Sequence, residues 1–240
     1  MAYNLFMKST IEDKTKLVNS VFSKVYKKYD LMNDIMSLGI HRIWKSKLID
    51  WMNPQLNERL IDVAAGTGDI AKLFSKKNNN LAQITCVEPN DEMHFAGKSN
   101  LKNFKNITWH KAKAEKLPFK NDTYDFYTIS YGIRNVSDIN LSLKEALRVL
   151  KPGGRFMCLE FSKIDNEMIN LLYQKYSKII PFVGKYIVGS SEPYDYLIRT
   201  INEFYDQNSF KKIIEDSNFS NVEYRNLSGG IVAIHSAWKI

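Results

Sequence analysis

Three carboxylates and two glycines in the first half of the chain have the types and spacing to hold a small charged ligand. Gly66 and Gly68 flank Thr67 in Asp62-Val63-Ala64-Ala65-Gly66-Thr67-Gly68-Asp69, and Glu88 follows about 20 residues later. Glycines without a Cβ permit a turn that other residues resist, and such a turn bares backbone N–H groups. The carboxylates of Asp62, Asp69 and Glu88 are suited to accept from hydroxyls and to attract cationic groups.

The local elements follow from the pattern. Leu60 to Ala64 is a short apolar run that reads as a buried parallel strand. From Asp69 onward Ile70, Leu73 and Phe74 share one helical face, with Lys72, Lys76 and Lys77 elsewhere. Gly66 to Ala71 matches the G-x-G-x-x-A dinucleotide fingerprint, so an oxidoreductase binding NAD is one reading. Charge opposes it: carboxylates at Asp62 and Asp69 would repel a diphosphate. S-adenosylmethionine carries an ammonium, a sulfonium and a ribose whose two hydroxyls Glu88 is placed to grip. The charge balance favours this methyl donor. If Asp69 were only a helix cap, Asp62, Gly66 and Glu88 would be coincidences.

With 240 residues the chain suffices for one well-buried domain with an appendage. No apolar run approaches the roughly 18 residues of a spanning helix, and Met1 to Lys28 lacks the apolar core of a signal peptide. Cys86 and Cys158 fall within predicted strands and are expected as buried free thiols in a reducing compartment. His41, His94, His110 and His235 are scattered, so no metal site is expected. The net charge of +8 comes from lysines spread along the whole chain, and no aromatic-basic RNA module accompanies it.

Along the chain, residues 16–29 read as an amphipathic helix, with Leu17, Val21 and Val25 at spacing four. A second helix runs from about Ile43 to Met52 and stops at Asn53-Pro54. Further strands are predicted at Ile84 to Val87, Ile107 to His110, Phe126 to Tyr131 and Arg155 to Phe161. Helices are expected from Asp91 and over Leu141 to Leu150, the latter broken by Pro152-Gly153-Gly154. Asp165 to Phe204 turns helical and interrupts the alternation, as an inserted lid does. A helix around Phe210 to Glu215 precedes Val222 to Asn226 and Ile231 to Trp238, whose short connection demands antiparallel pairing. The expected fold is α/β, Rossmann-like and seven-stranded: mostly parallel, with an antiparallel C-terminal hairpin, N-terminal helices and an inserted helical lid. It divides as a helical cap (1–53), a donor-binding core (60–162), a lid (163–208) and a C-terminal helix with hairpin (209–240) of one domain.

Several motifs resemble one family, the ubiquinone/menaquinone biosynthesis C-methyltransferases. They are the glycine loop, Ala114-Glu115-Lys116-Leu117-Pro118-Phe119, Gly132-Ile133-Arg134-Asn135 and Arg148 to Arg155. Leu159-Glu160-Phe161-Ser162, Tyr29 to Asp34, His41 to Lys45 and Gly230 to His235 belong to the same match, which runs from about Phe22 to the C-terminus. The resemblance implies methyl transfer from S-adenosylmethionine to a ring carbon of a polyprenylated benzoquinol or of demethylmenaquinol. It places donor contacts at Thr67, Glu88, Lys113, Ala114 and Ser130, beside Asp62, Gly66 and Gly68 of the loop. Departures from the family pattern are Ala65 for Gly, Glu88 for Asp, Lys113 for Asn, and Arg199-Thr200 for Glu-Ser.

Such a reaction needs alignment, exclusion of water and an ionised ring hydroxyl. Phenols titrate near 10, so a cation beside the ring would help. Arg134, just past the fourth strand, is the candidate; a structural ion pair is its plain alternative. Asn135, Tyr29, Asp34 and His41 are further candidates to orient the ring or accept its proton. The resemblance further implies a polyprenyl quinol as partner, no nucleic acid, and a cytoplasmic site of action. Contact with the inner-membrane surface, membership of a quinone-synthesis complex and a homodimer stay open. So does a non-catalytic scaffold role.

Overall fold

The computed structural model describes residues 29–164 and 192–240, with positions 18, 20, 21, 23, 26, 167, 168, 170, 171, 173, 175 and 176 besides; the side chains of Tyr29 and Asp30 are outside the description. Much of the helix expected over 16–29 and part of the lid, including Ile179, Ile180, Phe182, Tyr186 and Ile187, therefore lie outside the described residues.

Two helices, α1 (Tyr29–Ser37) and α2 (His41–Met52), precede the sheet. The stop expected at Asn53-Pro54 is a left-handed C-cap: Asn53 has φ 50°, and its N–H reaches the Ile49 carbonyl at 3.0 Å. Strand and helix then alternate as β1 (Arg59–Val63), α3 (Asp69–Lys77), β2 (Gln83–Val87), α4 (Asp91–Asn100) and β3 (Ile107–His110). After β4 (Tyr124–Ser130) come a 3-10 turn (Ile133–Asn135), α5 (Ile139–Val149) and β5 (Leu150–Phe161). The chain closes with α6 (Glu192–Glu203), α7 (Gln207–Asp216), β6 (Ser220–Leu227) and β7 (Val232–Trp238). Leu150, expected at the end of a helix, instead opens β5. It pairs with Tyr124 before a register shift carries the strand past Pro152-Gly153-Gly154.

The seven strands form one sheet in the order β3-β2-β1-β4-β5-β7-β6, with β7 antiparallel to both neighbours. This is the expected mostly parallel sheet with an antiparallel hairpin. Its residues alternate between two cores, as the strand period demands. Leu60, Ile84, Phe126 and Leu159 meet Trp44 and Leu48 of α2 and Phe74 of α3 on one face. Ile61, Val87, Tyr127 and Ile129 meet Leu143 of α5 and Phe210 of α7 on the other. Cys86 and Cys158 are buried and free, as their strand positions predict. No helix among the described residues is long and apolar enough to cross a membrane.

Strand order reverses between β1 and β4, since β2 lies on one side of β1 and β4 on the other. Loops leaving the C-terminal ends of these strands diverge to opposite faces and open a crevice there.

Candidate active site

A cleft of about 360 Å³ fills that crevice. It is lined from the β1 end by Val63, Ala64 and Gly66, from the β2 end by Glu88, Pro89 and Asn90, and by Lys111 to Glu115 beyond β3. Ser130, Tyr131, Gly132 and Asn135 close it from the β4 end. Ladder bonds continue past the strands to fix these loops: the Ala65 N–H donates to Val87 at 3.1 Å, Glu88 to His110 at 3.1 Å, and Tyr131 to Leu159 at 2.8 Å.

The glycine loop turns through three left-handed residues, Ala64 (φ 53°), Gly66 (φ 56°) and Gly68 (φ 87°). Ala65 is not one of them, which explains why a Cβ is tolerated there. A Cβ on Gly132 would lie 2.6 Å from that of Ala64, so Gly132 is what lets the β4 loop close against the β1 loop. Tyr131 is itself left-handed at φ 56°, a strained state for a bulky residue.

Glu88 is buried and held from two sides. One carboxylate oxygen accepts from the Gly66 N–H and the other from the Asn90 N–H, each at 2.9 Å. Each oxygen keeps acceptor capacity beyond its one backbone bond, on a side chain that lines the cleft, which suits two adjacent hydroxyls. Burial pushes its pKa up to about 7, with the two backbone donors opposing. Ser130 Oγ is buried without a partner among the described residues. An orphaned hydroxyl and a carboxylate with spare acceptors in a cleft closed by close-packed Ala64 and Gly132 fit a donor with a ribose and a charged tail.

Of the expected donor residues, Gly66, Glu88, Lys113, Ala114 and Ser130 line the cleft, whereas Asp62, Thr67 and Gly68 do not. The acidic-loop expectation is corrected here. Asp62 turns inward: its Oδ1 accepts from Thr128 Oγ1 at 2.8 Å, and burial raises its pKa to about 7. Asp69 makes no side-chain cap for α3, whose N-cap is Gly68. It pairs instead with Lys45 of α2 at 2.6 Å. Burial pushes Asp69 up, but the charge and hydrogen bond of Lys45 outweigh this and hold it below the usual carboxylate range. Neither carboxylate lines the cleft, whose acidic residues are Glu88 and Glu115.

A second, smaller cavity of about 30 Å³ adjoins the first, with Tyr131 in the wall of both. Met32, Met36, Ser37 and His41 line it from the helical cap, Arg134 and Phe161 from the sheet edge, and Tyr196 from α6. The Tyr196 hydroxyl donates to Asn135 Oδ1 at 2.9 Å, linking the two spaces. Thus Arg134, His41 and Asn135, three of the expected catalytic residues, converge around Tyr131. Asp34 stands behind His41, its Oδ1 2.9 Å from Nε2. Tyr29 opens α1, but its side chain lies outside the described residues.

Arg134 is not a free cation. Its Nη1 donates to Glu160 at 2.7 Å and to the Tyr131 carbonyl at 2.6 Å, and both charged side chains are buried. Burial raises the Glu160 pKa, which the Arg134 charge opposes. Nε of Arg134 has no partner among the described residues. The geometry shown is a structural ion pair, on a side chain that also lines the small cavity and whose Nε–H has no partner among the described residues.

Sequence reasoning missed Tyr131, Tyr196, Met36 and Glu115. Glu115 Oε1 accepts from the Ser137 N–H at 2.6 Å and so clips the loop beyond β3 to the one beyond β4. Of the departures, Thr200 bonds its own helix at Leu197, and the Arg199 guanidinium lies 5.6 Å from the Tyr196 ring centroid.

Comparisons with known proteins agree with this architecture. A C-methyltransferase of ubiquinone and menaquinone biosynthesis, UbiE from Rickettsia bellii, is 48% identical over 98% of this chain and 97% of its own length. Among solved structures, a SAM-dependent methyltransferase of Thermotoga maritima superposes with a TM-score of 0.65 at 18% identity, over 92% of this chain and 99% of that one. An N-methyltransferase of Haemonchus contortus, in complex with S-adenosylhomocysteine, has a TM-score of 0.61 at 12% identity over 82% of this chain and 52% of that one. At such identities the two structures speak for the fold alone. The model of the ubiE/COQ5 methyltransferase family matches residues 8–239, and the chain belongs to that family.

Proposed function

We propose that this protein transfers a methyl group from S-adenosylmethionine to a ring carbon of a polyprenylated benzoquinol, a demethylmenaquinol, or both. The observation that carries the reading is Glu88: a buried carboxylate with two backbone donors and spare acceptor capacity, lining a 360 Å³ cleft. Family membership supports the same reaction, and neither the dinucleotide reading nor the scaffold reading gains support.

When bound, the donor supplies a methyl carbon already activated by the sulfonium. The protein has to place the acceptor, keep water out and favour the ionised hydroxyl. Glu88 holds the ribose hydroxyls, Ser130 Oγ and the Lys113-Ala114 backbone line the same cleft, and Gly66 approaches closely from above β1. The acceptor ring lies at the junction of the two cavities, beside Tyr131 and Asn135. The small cavity holds one or two water-sized groups, so it takes a ring hydroxyl rather than the ring. There Arg134 Nε–H faces the oxygen as negative charge develops, while Glu160 keeps the pair neutral overall.

The chain acts as one domain, with residues 1–53 as a cap, 60–162 as donor-binding core, 163–208 as a lid and 209–240 as the closing helix and hairpin. Exposed Leu31 and Ile43 on α1 and α2 and exposed Leu38 and Ile40 in the turn between them, next to exposed Arg42 and Lys47, support a peripheral contact with an anionic membrane, where a prenylated acceptor resides. Mass spectrometry of quinones from a cell whose own enzyme is replaced by this chain tests the reading. Accumulation of the unmethylated quinone would end it.

A further inference from the structure

Between α1 and α2 lies a hydrogen-bonded pair whose far side is unfinished. Asp34 receives the Arg42 guanidinium on both oxygens, at 3.1 and 2.8 Å, and His41 Nε2 at 2.9 Å. The hydrogen bonds from Arg42 and His41 hold its pKa at about 2, so it is a carboxylate that only accepts. Nε2 must therefore carry the imidazole proton, and the lone pair of neutral His41 sits on Nδ1. Burial lowers the His41 pKa, Asp34 works against this, and Lys45 and Arg42 add to the lowering. The ring is thus neutral near pH 7.

Nδ1 is buried and has no partner among the described residues, in a side chain that lines the small cavity. Arg134, whose Nε–H is likewise without a partner among the described residues, lines the same cavity. An acceptor nitrogen and a donor N–H, both unsatisfied among the described residues, thus belong to two side chains that line one space the size of a hydroxyl. A hydroxyl is the group that satisfies both: it donates to one and accepts from the other.

We propose that His41, oriented by Asp34, is the base that takes the proton from the acceptor's ring hydroxyl. The assignment rests on the methyl-transfer reading and names the group that starts it. The proton moves from the hydroxyl to Nδ1, and the O–H electron pair stays on oxygen beside Arg134. An electron pair of the ring carbon then forms the new bond to the methyl carbon, whose bond to sulfur breaks with both electrons going to sulfur. The ring carbon loses its proton to solvent, and the imidazolium returns its own to the oxygen. One proton is released in all. Asp34 is a positioning residue, fixing the tautomer as carboxylates do behind a catalytic imidazole.

His41→Gln keeps a donor toward Asp34 and removes the titrating nitrogen. Its turnover should fall by 10²- to 10⁴-fold with unchanged affinity for S-adenosylhomocysteine, the usual range for a lost general base. Raising the pH should restore part of that rate, because the phenolate then forms without help; a merely structural loss would not respond. In wild type, turnover at saturating donor should show an acid limb below about pH 6.5. Asp34→Asn should move that limb lower, since the imidazolium loses its carboxylate. The other groups near the pair are Arg42, Lys45 with Asp69, and Arg134 with Glu160, while Glu88 and Asp62, raised by burial to about 7, are present alike in wild type and both variants. If His41→Gln fails to fold, the wild-type and Asp34→Asn profiles decide. Turnover of His41→Gln within a few-fold of wild type, or an acid limb that Asp34→Asn leaves in place, overturns the proposal. Wild-type protein that methylates no prenylated quinol would overturn the function itself instead.

Discussion

Lys45 of α2 and Asp69 of α3 meet at 2.6 Å, and through them the helical cap is tied to the first turn of the glycine-loop helix. Lys45 is buried while Asp69 is partly exposed, so water screens one side of the pair only. A double-mutant cycle with Lys45→Met and Asp69→Asn should give a coupling of about 1 kcal/mol in thermal or denaturant unfolding. Additive effects would mean that the two elements are joined by packing alone.

Glu88→Ala should weaken S-adenosylhomocysteine binding by about 1.5–3 kcal/mol, the scale of a hydrogen bond to a charged group. Calorimetry reads this directly. Unchanged affinity would remove Glu88 from the ribose.

Arg134→Ala leaves Glu160 buried without its counter-charge and should cost about 3–5 kcal/mol of stability. The companion Arg134→Met/Glu160→Leu removes both charges and should recover the melting temperature. Its turnover per folded molecule should stay down by about 10²-fold or more if the Nε–H faces the developing oxyanion. Recovery of rate together with stability would make the pair purely structural.

The Asp62 pKa is raised in the folded state, from 3.8 to about 7. The fold thus favours the protonated form. The stability this contributes is complete below the unfolded value and lost as pH rises through about 7. Asp62→Asn keeps a neutral partner for Thr128 without titrating. Relative to wild type it should therefore be stabilised by on the order of 2–4 kcal/mol at pH 8 and gain little at pH 4. Paired melting curves at the two pH values check the sign; an advantage that shrinks toward pH 8 contradicts it.

Leu38, 73% exposed, and Ile43 mark the apolar face proposed to meet the membrane. Leu38→Glu/Ile43→Glu should reduce co-sedimentation with anionic vesicles at low salt while turnover of a short-chain quinol persists. Equal binding by the variant would place the contact elsewhere.

Local spacing was enough to read β1, the glycine turn, α3 and the C-terminal hairpin, because each is written in consecutive residues. Glu88 was found the same way, by its distance from the loop. The destinations of Asp62 and Asp69 were not legible. Their partners Thr128 and Lys45 are 66 and 24 residues away, so the fold decides which way those carboxylates face. Leu150 was misplaced because its helix-period pattern continues while its backbone already pairs with Tyr124. The small cavity left the weakest trace, being assembled from the cap, the sheet edge and α6. Arg134 and His41 stand out singly in the sequence, but Glu160, which alters what Arg134 can do, sits in a strand and reads as ordinary.

Tyr131 stands in the wall of both cavities and holds a backbone angle few tyrosines adopt. A substitution there disturbs both spaces at once, so this position is closed to gradual change. The rest of the small cavity's wall comes largely from Met32, Met36 and Tyr196, on helices outside the sheet. Change in the shape of that cavity is therefore channelled into the helices, while the β4 edge stays fixed.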